Sequence, residues 1–285
     1  MASWAANVGR GYTFGAIGYA LAYKVVRAVG PGISSSMATG SDGMQAEWTS
    51  CVVSTVNAIM VSLAMYRRVL DPVLRADRIY GIAKFGAEFW FGEVIGYFTA
   101  DLALSIWYRE TLSNFFGNVA HHVISIASYG CVVFQRRGGW YACALLMLET
   151  TTPFGNFRWL MSKSESKIWG KGSILYQING LVWLGVFFLA RVASIPFILR
   201  YGVKDALMLW RSTVATRADR STFGFLVGAY LLMQPLNLFW FSKMVQGALR
   251  MLKGIDPEKA LAAERGMLTP RGAAARAKAE AEKAQ

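Results

Sequence analysis

The sequence predicts an all-α, polytopic integral membrane protein of about seven transmembrane helices, and three observations carry the prediction. Hydrophobic residues make up 54% of the chain and charged residues only 16%, against about 25% charged in soluble domains. Mean hydropathy is positive, at +0.33. The apolar residues are gathered into runs of bilayer-crossing length, which takes about 20 residues of helix. The net charge of +13 lies mostly between those runs, where Lys and Arg meet phospholipid headgroups. No nucleic-acid motif accompanies it. Cys51, Cys131 and Cys143 are odd in number, widely spaced and each in an apolar segment, which predicts buried free thiols and no metal site.

The first span, residues 8–28, is Gly-rich and the weakest; it reads as a retained helix, not a cleaved signal. Residues 29–46 are loop by their Gly, Pro and Ser content. The second span, Trp48 to Met65, places Ser50, Ser54 and Asn57 on one face, where small polar side chains hold membrane helices together. Arg67 to Lys84 is a charged connector with the character of an interfacial helix. The third span, Phe89 to Tyr108, carries Asp101 at mid-depth and Glu93 nearer one end, at the level of the interface.

The fourth span, Val119 to Phe134, holds the only two histidines, His121 and His122. Adjacent helical residues point about 100° apart, so the two imidazoles serve different partners. A basic turn, Arg136 to Gly139, leads to the fifth span, Trp140 to Met161. Pro153 predicts a kink there, with Glu149, Thr152 and Asn156 on one face of a modest bend. The sixth span, Ser173 to Leu199, includes Asn179 and Arg191, the latter free to pair with Glu149, Glu93 or Asp101, or to snorkel. Residues 200–221 form a basic connector, and Thr222 to Phe241 is the seventh span. It contains no lysine that could form a retinal Schiff base, and no repeat of the transporter kind is visible. Loop charge alone leaves the orientation open.

With its motifs in this order, the chain resembles the TLC-domain family, and in particular the small TLC-domain-containing proteins of the type 4 group. The stretches that carry the resemblance are Glu47-Trp48-Thr49-Ser50, Gly96-Tyr97 with Asp101, His121-His122, Glu149 to Trp159, and Asn179-Gly180 with Arg191 to Ser194. The resemblance implies a six-helix TLC core around a cavity in residues 45–245. Residues 1–44 precede it with the first span, and a basic, Ala-rich tail, 246–285, follows as a solvated or disordered cytosolic segment. It also implies an endoplasmic-reticulum or related membrane and a role in membrane-lipid homeostasis. The distantly related ceramide synthases use a His-His pair, followed on the next helix by His-Asp-x-Ser-Asp, in acyl transfer from acyl-CoA to a lipid amine. Here His121 and His122 match the pair and Glu149 falls at the first acid, whereas Leu148 and Thr152 stand where that motif has its second His and its last Asp.

Two functional expectations follow. One is a lipid-binding, lipid-homeostatic protein whose partners are membrane lipids. The other is an acyl-CoA-dependent N-acyltransferase, with acyl-CoA as co-substrate and no cofactor or metal. Under the second, His121, His122, Asp101 and Glu149 are the catalytic candidates: imidazole is a base and nucleophile near neutral pH, and a carboxylate orients it. Thr152, Asn156, Arg158, Asn179 and Arg191 are the substrate-binding candidates, Arg158 as a partner for phosphate or carboxylate. A bland alternative is that these polar groups only satisfy one another between helices. The oligomeric state is left open.

Overall fold

The computed structural model describes residues 2–81, 86–112 and 115–253, and among them every regular element is helical. Helices occupy all seven expected stretches. Three are long and apolar enough to cross a membrane by length and composition: Asp42–Leu70, Ile174–Arg211 and Arg217–Leu252. Three of the other four owe their weaker apolar signal to polar groups or a break: Glu93 and Asp101 in one, the two histidines in another, and a broken helix at Glu149 in the third.

The first helix, α1 (Ala2–Ile33), runs beyond both ends of its predicted span. The expected loop at 29–46 is corrected. α1 continues through Pro31, α2 occupies Ser35–Thr39, and α3 begins at Asp42. The reason is packing: Gly30 leaves room for the side chains of Met37 and Trp48, and Met37 is fully buried. α3 (Asp42–Leu70) is capped by Ser41, whose hydroxyl accepts from the Met44 N–H. Asp71 ends it and caps α4 (Pro72–Ala76), accepting from the N–H groups of Val73 and Leu74.

α5 (Glu88–Trp107) lies against α1 through glycines on both helices. A Cβ on Gly11 or Gly15 would strike the carbonyls of Phe89 and Glu93; one on Gly92 or Gly96 would strike those of Val8 and Tyr12. Two Gly-x-x-x-Gly steps thus face each other and let the backbones touch, the arrangement that drives helix association in lipid. This close packing also buries Glu93, which is only 2% exposed.

α6 (Phe115–Gln135) ends in the predicted basic turn, with Arg136 and Gly138 at positive φ (55° and 73°). The fifth stretch is divided into α7 (Gly139–Leu146), a 3-10 turn (Met147–Thr151) and α8 (Thr152–Ser162). Pro153 thereby sits in the first turn of α8, where its missing N–H costs nothing, instead of kinking one long helix. α9 (Ile174–Phe187) passes through a π-helical turn, Phe188–Val192, into α10 (Ile195–Arg211). The expected connector at 200–221 is therefore helical as far as Arg211.

The last helix is α11 (Arg217–Leu252). Its first turn carries a reciprocal cap: Asp219 accepts from the Thr216 N–H, and Thr216 Oγ1 accepts from the Asp219 N–H. Among the described residues, those up to Leu238 form one compact unit and those from Phe239 to 253 a second. In the second, Lys243 lies 5.7 Å from the centre of the Phe239 ring. The predicted tail falls outside the described residues from 254 onward.

Ion pairs tie the connectors of the first unit together. Arg78 grips both oxygens of Asp205 (2.7 and 2.6 Å), and Arg137 grips Asp219 (2.6 Å). The bonded Asp205 carboxylate raises the Arg78 guanidinium further above its ordinary pKa, outweighing burial, so it stays charged. The three cysteines are free.

Candidate functional site

Each histidine has its own acid. His122 Nε2 lies 3.1 Å from Asp101 Oδ2, while its Nδ1 bonds the carbonyl of Asn118 at 2.7 Å. Asp101 Oδ1 accepts from Tyr19 (2.5 Å) and Ser50 (3.0 Å), so this buried cluster joins α1, α3, α5 and α6. His121 Nε2 lies 3.5 Å from Glu149 Oε1, in the 3-10 turn. The Phe98 ring stands edge-on to both imidazoles, at centroid distances of 5.5 and 5.1 Å. The divergence expected from a 100° step is realised.

Glu149 is the hub of the second cluster. Thr152 donates to its Oε2 at 2.8 Å, and Arg191 Nη2 lies 3.9 Å from its Oε1. Arg191 is held by three further acceptors: Thr151 Oγ1 (3.0 Å), the Leu148 carbonyl (3.2 Å) and Asn237 Oδ1 (3.2 Å). Of the alternatives open to Arg191, the pairing with Glu149 is the one formed. The π-helical turn aims the guanidinium inward, with its carbon 5.4 Å from the centre of the Phe187 ring. A guanidinium satisfied on several sides keeps its charge at this depth at reduced cost.

A cavity of about 60 Å³ opens beside this cluster, lined at its polar end by His121, Glu149, Arg191, Gln234 and Asn237. That is room for a few water molecules. Ser128, Tyr129, Leu145 and Tyr230 line both this cavity and a second of about 30 Å³. The second is apolar, walled by residues such as Val132, Ile198, Val203 and Val227. A polar chamber therefore adjoins an apolar one inside the bundle.

The remaining candidates lie apart from this chamber. Asn156 faces α3 and donates to Ser54 Oγ (2.7 Å) and the Cys51 carbonyl (2.9 Å). Arg158 donates to the Tyr176 carbonyl (3.0 Å) and lies over the Tyr176 ring at 4.0 Å, and it presses on Gly180. Asn179 donates to the Phe154 carbonyl at 3.0 Å. These three join helices to one another. His121 and His122 point to different acids and do not converge, and among the described residues no group of three or more His, Cys, Asp or Glu side chains could hold a metal ion.

Sequence reasoning did not single out Tyr19, Thr151, Tyr230, Gln234 or Asn237. A polar residue interrupting an apolar run is the available signal, as Gln234 and Asn237 do in the seventh span. Tyr19 carried none, because tyrosine is ordinary in a Gly-rich span.

The TLC-domain signature matches residues 47–246. A TLC domain-containing protein 4 of Homo sapiens is 27% identical over 87% of this chain and 90% of its own length. One from Xenopus tropicalis is 28% identical over 77% of this chain and 82% of its own. The Saccharomyces cerevisiae protein named topoisomerase I damage affected protein 4 is 26% identical over 70% of each chain. No solved structure matches significantly. The signature spans well over half of the chain, and the human relative aligns along nearly its whole length; this protein belongs to the TLC-domain family.

Proposed function

We infer that this chain is a multi-pass membrane protein that binds a lipid in its intramembrane cavity and acts in membrane-lipid homeostasis. One observation carries the reading: a polar chamber holding His121, Glu149 and Arg191 shares four lining residues with an apolar chamber. An amphiphile has the same two-part chemistry. Its ester, amide or headgroup oxygen accepts from Arg191 or His121, and its chain replaces empty space against Val132, Leu145 and Val227. The cavity must widen to take a full chain. The expected setting is an endoplasmic-reticulum membrane with the C-terminus cytosolic.

A second reading, N-acyl transfer from acyl-CoA to a lipid amine, is favoured by the approach of Glu149 to His121 Nε2 at 3.5 Å. With Nε2–H turned to Glu149, the Nδ1 lone pair is the base. It takes the amine proton as the N–C bond forms and the C–S bond breaks, and the proton then leaves on CoA thiol. Catalytic contacts are often long before substrate binds.

The test is mass spectrometry of lipid extracted from the purified full-length protein, before and after incubation with an acyl-CoA and a sphingoid base. Retained lipid that stays chemically unchanged supports the first reading. A new N-acyl product that disappears in His121→Ala supports the second. Neither retention nor product sinks both.

A further inference from the structure

A third cavity, of about 320 Å³, opens where α4, α7 and α10 meet, and is lined by Pro72, Arg75, Ala76, Arg78, Trp140 and Tyr201. That volume is in the range of small-ligand sites. It is separate from the chamber above. Trp140 and Tyr201 line it, while their chain neighbours Tyr141 and Gly202 line the apolar chamber. The Arg78–Asp205 pair, to which Tyr141 donates at 2.7 Å, stands between them.

The walls of this cavity are fixed. Trp140 donates its indole N–H to the Val69 carbonyl (3.2 Å) and meets the Tyr201 ring edge-on at 5.6 Å. Arg78 lies 4.8 Å from the centre of the same ring, held by Asp205 and by the Arg75 carbonyl (2.9 Å). Arg75 differs: it is exposed, and its guanidinium makes no hydrogen bond or ion pair with a described residue. The cavity lies just past the end of α3 at Leu70 and at the start of α7 at Gly139. Those are span ends, where Trp and Tyr sit at headgroup level. An unspent cation above a rigid aromatic wall, at that depth, matches a ligand with an anionic head and an apolar shoulder. Basic pockets between membrane helices take such headgroups.

We propose that this pocket binds the phosphate of an anionic membrane phospholipid, with Arg75 on the phosphate and Trp140 and Tyr201 against the glycerol backbone and first methylenes. The proposal needs the chain to be membrane-embedded, and it is independent of what the His121 chamber holds. The occupant is lipid-borne because the walls are aromatic and lie at a span end; a soluble phosphate ester would leave them uncovered.

The experiment is native mass spectrometry of the full-length protein in detergent, titrated with phosphatidylinositol 4-phosphate, phosphatidylserine, phosphatidylcholine and, separately, glycerol 3-phosphate. The anionic lipids are retained over phosphatidylcholine, and Arg75→Gln weakens them about fivefold, the contribution of one cation near a charged membrane surface. Arg109→Gln, an exposed arginine beside Glu110 and outside the pocket, changes nothing. Thermal unfolding of Arg75→Gln stays at the wild-type value. Equal retention by wild type and Arg75→Gln, or equal retention of phosphatidylcholine, overturns the proposal. So does glycerol 3-phosphate binding as tightly as the lipids, which would make this a soluble-phosphate site.

Discussion

His122 and Asp101 hold one proton between them. The Asn118 carbonyl only accepts, so the His122 Nδ1 bonded to it at 2.7 Å carries a hydrogen. A neutral ring then presents Nε2 as an acceptor, 3.1 Å from a carboxylate oxygen. Two acceptors do not sit at that distance without a proton, so the cluster is either imidazolium–carboxylate or imidazole–carboxylic acid. Tyr19 and Ser50 both donate to Asp101 Oδ1 and support either form.

That shared proton ranks two substitutions. Asp101→Asn keeps an acceptor for Tyr19 and Ser50, and it turns an amide N–H toward Nε2 of a neutral ring. His122→Ala leaves a buried acid without its partner, a loss of about 3–5 kcal/mol for buried pairs. Unfolding of the reconstituted protein should therefore show His122→Ala well below Asp101→Asn. The reverse order would contradict the proton count.

The glycines of α1 and α5 make a sharper prediction. Gly15→Val and Gly96→Val force the two backbones apart, at a cost of about 1–3 kcal/mol each by overpacking. Gly9 and Gly18 have open space at their Cβ positions, so alanine there is neutral or slightly stabilising. Melting temperatures of the four variants check this pattern. A Gly15→Val variant as stable as Gly9→Ala would place the helices farther apart than described.

Much of this was legible in the sequence. The divergence of His121 and His122, the polar face of Ser50 and Ser54, and the turn at Arg136–Gly139 follow from helical geometry and from the left-handed preference of glycine. What could not be read depended on neighbours distant in sequence. Gly30 made room for Met37 and turned an expected loop into helix. The backbone contact of α1 with α5 buried Glu93. The 3-10 turn at Met147–Thr151 winds more tightly than an α-helix and changes the angular step, so Asn156 faces α3 while Thr152 stays on Glu149.

Asp219 serves two structures at once. It completes the cap with Thr216 and pairs with Arg137, so Asp219→Ala loses both. Arg137→Ala loses only the pair, in which Arg137 is partly exposed. Loss of a cap alone costs about 0.5–2 kcal/mol, and the ion pair adds up to about 1 kcal/mol. Asp219→Ala is therefore the more damaging by about the value of a cap, as measured by chemical unfolding. Equal losses would remove the cap from the account.

The central claim is that a lipid chain enters the paired chambers between α6, α7, α10 and α11. Photo-crosslinking with a fatty acid or lipid bearing a diazirine near its chain end tests this most directly, with the labelled positions read by peptide mass spectrometry. The account predicts label on chamber residues such as Val132, Leu145 and Val227, reduced when Ala142→Phe fills the apolar chamber. Label confined to outward-facing residues such as Trp107, Phe116 and Phe134, and unchanged by Ala142→Phe, would contradict it.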